Sequence, residues 1–209
     1  MSLFETVQTL IEQKNIATIL EIGSGHGNNS TQFLVKGLSR VNIPEKKLYC
    51  IEAKHEQYNN LINNTAQYDF VICFNKSSIT GKNFVVKDFE NDIWLSPYNG
   101  IAKTNSFPRD LVKRWFDEEE VIIREATEGV LDTIMLDAYF DMVVIDGSEF
   151  TGYSEYLLIK DRCKYLVLDD VHKCYKNLQV YEEIKENSKW DIIFDDPSDR
   201  NGTVIAVRK

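Results

Sequence analysis

The sequence is short of positive charge. Lys and Arg number 24 against 33 Asp and Glu, a formal net charge of -9 with a pI near 4.9. A protein held on nucleic acid by phosphate contacts needs a basic footprint, so that class is excluded as a partner. A nucleotide or a sugar as a small ligand is not. Long apolar runs are missing too. None approaches the roughly 18 residues that a membrane span needs. No basic segment followed by an apolar stretch opens the chain, so no signal peptide is expected and a cytoplasmic location is. Cysteine is sparse. Cys50, Cys73, Cys163 and Cys174 lie far apart, and no pair has metal-site spacing, which predicts buried thiols. One glycine is also absent where it matters: position 28 is Asn.

What is present begins at Thr18–Gly27, TILEIGSGHG. Thr18 to Ile22 reads as a buried parallel strand, and Gly23, Gly25 and Gly27 follow at alternate positions. Helical periodicity resumes from Asn28 to Leu38, with Phe33, Leu34, Val35 and Leu38 available to a sheet. A glycine turn between a first strand and a helix is where open α/β sheets bind nucleotide-like ligands. The dinucleotide fingerprint is G-x-G-x-x-G. Here the spacing is G-x-G-x-G, Asn28 takes the place of that third glycine, and Glu21 precedes the turn.

This arrangement resembles motif one of the class I S-adenosylmethionine-dependent methyltransferases, E/D-x-G-x-G-x-G. Glu21, Gly23, Gly25 and Gly27 match every fixed position. The resemblance implies a Rossmann-like α/β fold, a mostly parallel seven-stranded sheet with an antiparallel last strand and helices on both faces. It implies that the turn, including Ser24, passes under the methionine and ribose of S-adenosylmethionine. It also implies that Glu21 helps position the amino end.

The remaining chain can be placed on that frame. Residues 2 to 14 predict a first helix, and Lys47 to Ile51 a second strand closed by Glu52. A carboxylate there is expected to accept the ribose hydroxyls; a charge opening the helix from His55 is the alternative. Asp69 to Phe74 reads as strand three, so Asn75, Lys76 and Ser77 are candidates for the adenine side. Residues 80–120 read as an insertion in a single domain spanning 1–209, shaping a substrate pocket or an oligomer contact. Phe84 to Val86 and Val121 to Arg124 are short strand candidates, and Glu128 to Leu136 reads helical. Lys103, Arg109, Lys113 and Arg114 form a local basic exception that suits either an anionic substrate group or a solvated surface. Strands are expected at Met142 to Ile145, Cys163 to Leu168, Ile192 to Phe194 and Val204 to Val207. Asp199-Arg200-Asn201-Gly202 reads as the turn between the last two.

Two adjacent strands should end in carboxylates, Asp146 and the pair Asp169-Asp170. Such groups suit a base, a metal ligand or a substrate contact, with helix capping as the structural alternative. His172 follows them, and its ordinary pKa suits a general base that Asp170 would orient. The phrases IDGSEFTGYSEY, LVLDDVHKCYKN and DRNGTVIAVR resemble FkbM-type and related sugar or natural-product methyltransferases. That resemblance implies an acidic residue near Asp146 beside the transferred methyl. Asp146, Asp169 and Asp170 also resemble the acidic set with which catechol-type and macrolide-sugar O-methyltransferases hold magnesium, and oxygen ligands suit that ion.

The expected activity is therefore methyl transfer from S-adenosylmethionine to a hydroxyl of a sugar or small molecule. Asp146, Asp170 and His172 are the catalytic candidates, magnesium is an option, and a homo-oligomer is compatible. Three alternatives stand beside it: a magnesium-dependent catechol-like enzyme, a cofactor-binding protein without turnover, and a nicotinamide-dependent oxidoreductase. The last lacks its third glycine at Asn28.

Overall fold

A computed structural model describes residues 2–99, 107–172 and 175–209. Lys103 and Cys174 lie outside the described residues. Seven strands form one sheet in the order β3-β2-β1-β4-β5-β7-β6. They are β1 (Thr18–Ile22), β2 (Lys47–Ile51), β3 (Val71–Phe74), β4 (Phe140–Ile145), β5 (Cys163–Asp169), β6 (Trp190–Asp196) and β7 (Thr203–Arg208). Pairings from β3 through β5 are parallel, and β7 runs antiparallel to both β5 and β6. This is the Rossmann-like sheet with one reversed strand expected from the sequence.

The centre of the sheet is apolar on both faces because helices cover both. In β1, Leu20 and Ile22 face one core, and Ile19 faces the other. The second core is built with α1 (Leu3–Lys14), α2 (Ser30–Arg40) and α3 (His55–Thr65), through residues such as Val7, Leu34 and Leu61. The first core takes α4 (Arg109–Glu125), α5 (Gly152–Ile159) and α6 (Tyr175–Glu186), through Phe116, Tyr156 and Val180. Each fully buried side chain of this size contributes about 1.5–3 kcal/mol.

Local chemistry fixes where elements begin. Ser2 and Glu5 form a reciprocal capping box at the start of α1. The Asp141 carboxylate on β4 accepts from the Ala17 and Thr18 backbone N–H groups at 2.9 Å each, which sets the register of β1 against β4.

The middle segment departs from the sequence reading. Val121–Arg124 is not a strand; it is the last part of helix α4. A β-branched run is ambiguous on its own, and here Val112, Phe116 and Ile123 recur at helical spacing and are buried on one side. Phe84 to Val86 forms no strand, although Phe84 and Val86 are buried. The helix expected over 128–136 is a single wide turn, Val130–Ile134. The basic candidates are engaged in part: Arg109 pairs with Glu90 at 2.5 Å, and Lys113 pairs with Asp117 one turn along α4.

Candidate active site

The carboxyl ends of β1, β2 and β4 converge on a cavity of about 270 Å³. Its floor is the glycine turn. Gly23 and Ser24 donate their backbone N–H groups to Ile51 O at 3.0 Å, which ties the turn to the end of β2. Gly23 has φ +86°, and a Cβ there would lie 2.2 Å from Gly147 Cα. Only glycine fits, because the turn after β1 touches the turn after β4. Gly25 has φ +54°, and an added Cβ would meet nothing within 4 Å. Gly25 lines the cavity, so a side chain there would enter that open space.

Glu21 is fully buried beneath the turn. Its Oε2 accepts from Thr31 Oγ1 at 2.7 Å, and Oε1 has no partner. Burial pushes its pKa up, only partly offset by the hydroxyl-bearing residues around it, Ser30, Thr31 and Ser24. Glu52 lines the cavity; Gly25 N–H and Lys54 N–H donate to its two oxygens at 2.9 and 2.8 Å. Ser24 is buried with its hydroxyl unpaired. Gly27, at φ +69°, turns away from the cavity and faces Leu61 on α3.

Asn75 has a different position from the one expected. It does not line the cavity. Its amide donates to Glu52 O and Ala53 O at 3.0 and 3.1 Å, so it braces the loop that carries Glu52. The other two candidates, Lys76 and Ser77, line the cavity, and so does Ser78.

Two carboxyl groups on the cavity wall were not foreseen. Glu119 on α4 reaches across to the Ser148 hydroxyl, and burial pushes its pKa up to about 7. Its neighbours Ile122 and Ile123 also line the space. Glu155 on α5 is buried, accepts from Ser78 Oγ at 2.5 Å and Thr151 Oγ1 at 2.8 Å, and is raised by burial. In the sequence Glu119 sits in the acidic run Asp117 to Glu120 and gives no local signal, whereas Glu155 is the one charge in the helix GYSEYLLI.

Asp146 lines the cavity at the end of β4, and beside it lies the end of β5. Asp146, Asp169 and Asp170 each present an oxygen, all within 4.8 Å of one another. Lys176 of α6 stands among them, side chain 5% exposed, with Nζ 2.7 Å from Asp146 Oδ1 and 3.2 Å from Asp170 Oδ2. Burial opposes its charge, but Asp146, Asp170 and Glu149 outweigh that and hold its pKa above the usual lysine range. Arg200 approaches Asp169 Oδ2 to 2.7 Å. Burial, Asp146 and Asp170 nonetheless push Asp169 up to about 7, against the pull of Arg200 and Lys176.

The turn between β6 and β7 supports this cluster. Arg200 serves Asp169, and Asn201 donates to Asp170 Oδ1 at 2.8 Å. Asp170 sits at φ +58°, and Val171 N–H and His172 N–H are tied to Gly202 O and Asn201 O. Asn177 donates to Ile145 O and Asp169 O, pinning the ends of β4 and β5 together. The carboxylates do not cap α5, whose N-cap is Thr151.

His172 is not oriented by Asp170. Its ring packs edge-on against Tyr181 and over Gly202, with Nε2 3.7 Å from Asp195 Oδ1. Asp170 is already engaged by Lys176 and Asn201, and the backbone ties after β5 turn the imidazole toward β6. Glu149, in contrast, was missed. It is half-buried beside the cluster, its Oε2 has no partner, and burial raises its pKa.

A divalent ion does not fit this arrangement as it stands. The position between Asp146 and Asp170 holds the Lys176 ammonium, and Asp169 is engaged by Arg200. An ion would have to displace Lys176.

No protein-family model matches the sequence, and no curated protein does either. Solved structures do match. The O-methyltransferase from Bacillus cereus, in complex with SAH (S-adenosylhomocysteine), is 15% identical, with a TM-score of 0.58 over 99% of this chain and 80% of that one. TomG from Streptomyces achromogenes, an O-methyltransferase of tomaymycin synthesis in complex with SAM, is 15% identical, with a TM-score of 0.57 over 99% and 79%. The methyltransferase PaMTH1 of Podospora anserina, bound to SAH, is 12% identical, with a TM-score of 0.56 over 98% and 76%. The chain has the class I methyltransferase fold. Among the described residues no helix is long and apolar enough to cross a membrane.

Proposed function

We propose that the protein is an S-adenosylmethionine-dependent methyltransferase that methylates a hydroxyl oxygen of a sugar or small molecule. The observation that carries this reading is the continuity of one cavity from Gly23, Gly25 and Glu52 to Asp146. The first three suit an adenosyl donor: an open Gly25, and a Glu52 carboxylate at the end of β2 for the ribose. Asp146 leads to a charged cluster that suits a hydroxyl acceptor. The FkbM-type and related enzymes remain the relatives to which the IDGSEFTGYSEY phrase points.

In the reaction, the acceptor oxygen attacks the sulfonium methyl in line. An O–C bond forms, the C–S bond breaks, and S-adenosylhomocysteine leaves with the sulfur electron pair. Much of the rate comes from holding the two reactants in that geometry. Asp146 and Asp170 hold Lys176, buried beside the Asp146 end of the cavity. Glu149 has a free oxygen and a raised pKa and lies beside Asp146, Asp170 and Lys176, so we assign it the acceptor proton. His172, its ring turned toward Asp195 and packed on Tyr181, has no part in this step. Helix α4, from the segment between β3 and β4, closes the donor cavity with Glu119, Ile122 and Ile123.

The test is incubation with methyl-labelled S-adenosylmethionine and a panel of sugars, sugar nucleotides and phenols, with label followed into product. Labelled ether product, lost in Glu52→Ala, supports the reading. Tight cofactor binding with no transfer to any acceptor would favour the non-catalytic alternative.

A further inference from the structure

The acidic cluster has the composition of a hard-cation site, yet two cations of the chain itself already stand against it. Asp146 and Asp170 share one ammonium, and Asp169 faces one guanidinium. Lys176 reaches this position because Asn177, the next residue, is fixed to Ile145 O and Asp169 O at 2.9 and 2.7 Å. The start of α6 is thereby clamped to the ends of β4 and β5. Gly152 lets it come close: a Cβ there would lie 2.2 Å from Lys176 O. The lysine is therefore a seated component and not a surface side chain that has swung inward.

We propose that Lys176 is a tethered cation occupying the place a divalent metal would take between Asp146 and Asp170, so that the site works without metal. An ammonium has three donors. Two go to Asp146 and Asp170. The third is offered to the acceptor oxygen, and this last step rests on the methyltransferase reading. The cation role does not, since it follows from the pairing alone.

The experiment is a Mn²⁺ titration followed by electron paramagnetic resonance, on the full chain and on Lys176→Met and Lys176→Gln, with folding checked by circular dichroism. The wild type is expected to show no saturable site up to about 1 mM. Either folded variant is expected to bind one Mn²⁺ per chain with a dissociation constant on the order of 10⁻⁴ M or tighter. Adding Asp146→Asn should abolish that gained site. A wild-type chain that binds one Mn²⁺ in the micromolar range overturns the proposal, whether or not either variant folds. So does a folded variant that gains no site. Neither result depends on an acceptor being known, so a failure here is distinct from a failure of the methyl-transfer reading.

Discussion

Alanine at Gly23 and at Gly25 should separate stability from ligand binding within one turn. Both glycines have positive φ, +86° and +54°. A side chain in the left-handed region costs about 1–2 kcal/mol. At Gly23 there is a second cost, since the new methyl would lie 2.2 Å from Gly147 Cα and 2.6 Å from Asp146 O, both backbone atoms. Forcing those segments apart adds about 1–3 kcal/mol. The total of about 2–5 kcal/mol lowers the melting temperature of a chain this size by about 4–20 °C. Gly25→Ala carries only the strain, so its melting temperature falls by about 2–8 °C. Its methyl enters the open cavity, however. Affinity for S-adenosylhomocysteine should fall at least about tenfold, or about 1.4 kcal/mol. Differential scanning calorimetry and isothermal titration on the two variants make the comparison. A Gly25→Ala protein that binds the ligand as well as wild type would refute the claim that the ligand crosses this turn.

Other perturbations give equally definite outcomes. Lys176→Met leaves buried carboxylates unpaired and should destabilise by about 3–5 kcal/mol in urea unfolding, with part recovered by adding Asp146→Asn. Glu149→Gln should lower kcat by about 10²–10⁴ while leaving S-adenosylhomocysteine affinity within a few-fold of wild type; an equal loss in both would assign it to the donor site. Glu119 and Asp169 carry pKa values raised to about 7 in the fold. The folded chain then holds more protons than the unfolded one between their ordinary carboxyl values and 7, so stability falls as pH rises through that window. Glu119→Gln should flatten part of the fall in a melting-temperature profile from pH 4 to 8, and an unchanged slope would contradict its burial in the closed cavity. Methyl transfer, once an acceptor is found, should be insensitive to EDTA.

The first half of the chain was readable because its signals are local. The strand Thr18–Ile22, the glycine spacing and the closing Glu52 lie in short, periodic segments, and the first three strands, β1, β2 and β3, are in the sheet where the sequence puts them, while Phe84 to Val86 is not. The middle was harder. Val121–Arg124 has a strand-like composition, and only its packing beside Phe116 makes it helical. Asp146 and Asp170 stood out because they end strands. Lys176 and Asn177 did not, since a polar pair opening a helix ordinarily faces water. Their burial depends on the β6–β7 turn and on Gly152, which are distant in sequence. The same holds for His172, whose proximity in sequence to Asp170 suggested a pairing that the backbone ties to Asn201 and Gly202 prevent.

The most direct test of the donor reading is calorimetric titration of the wild-type chain with S-adenosylhomocysteine, with Glu52→Ala alongside. The account predicts one site per chain, with binding weakened at least about tenfold in the variant. Absence of binding to the folded wild-type chain up to millimolar ligand, or equal binding by the Glu52→Ala protein, would contradict it.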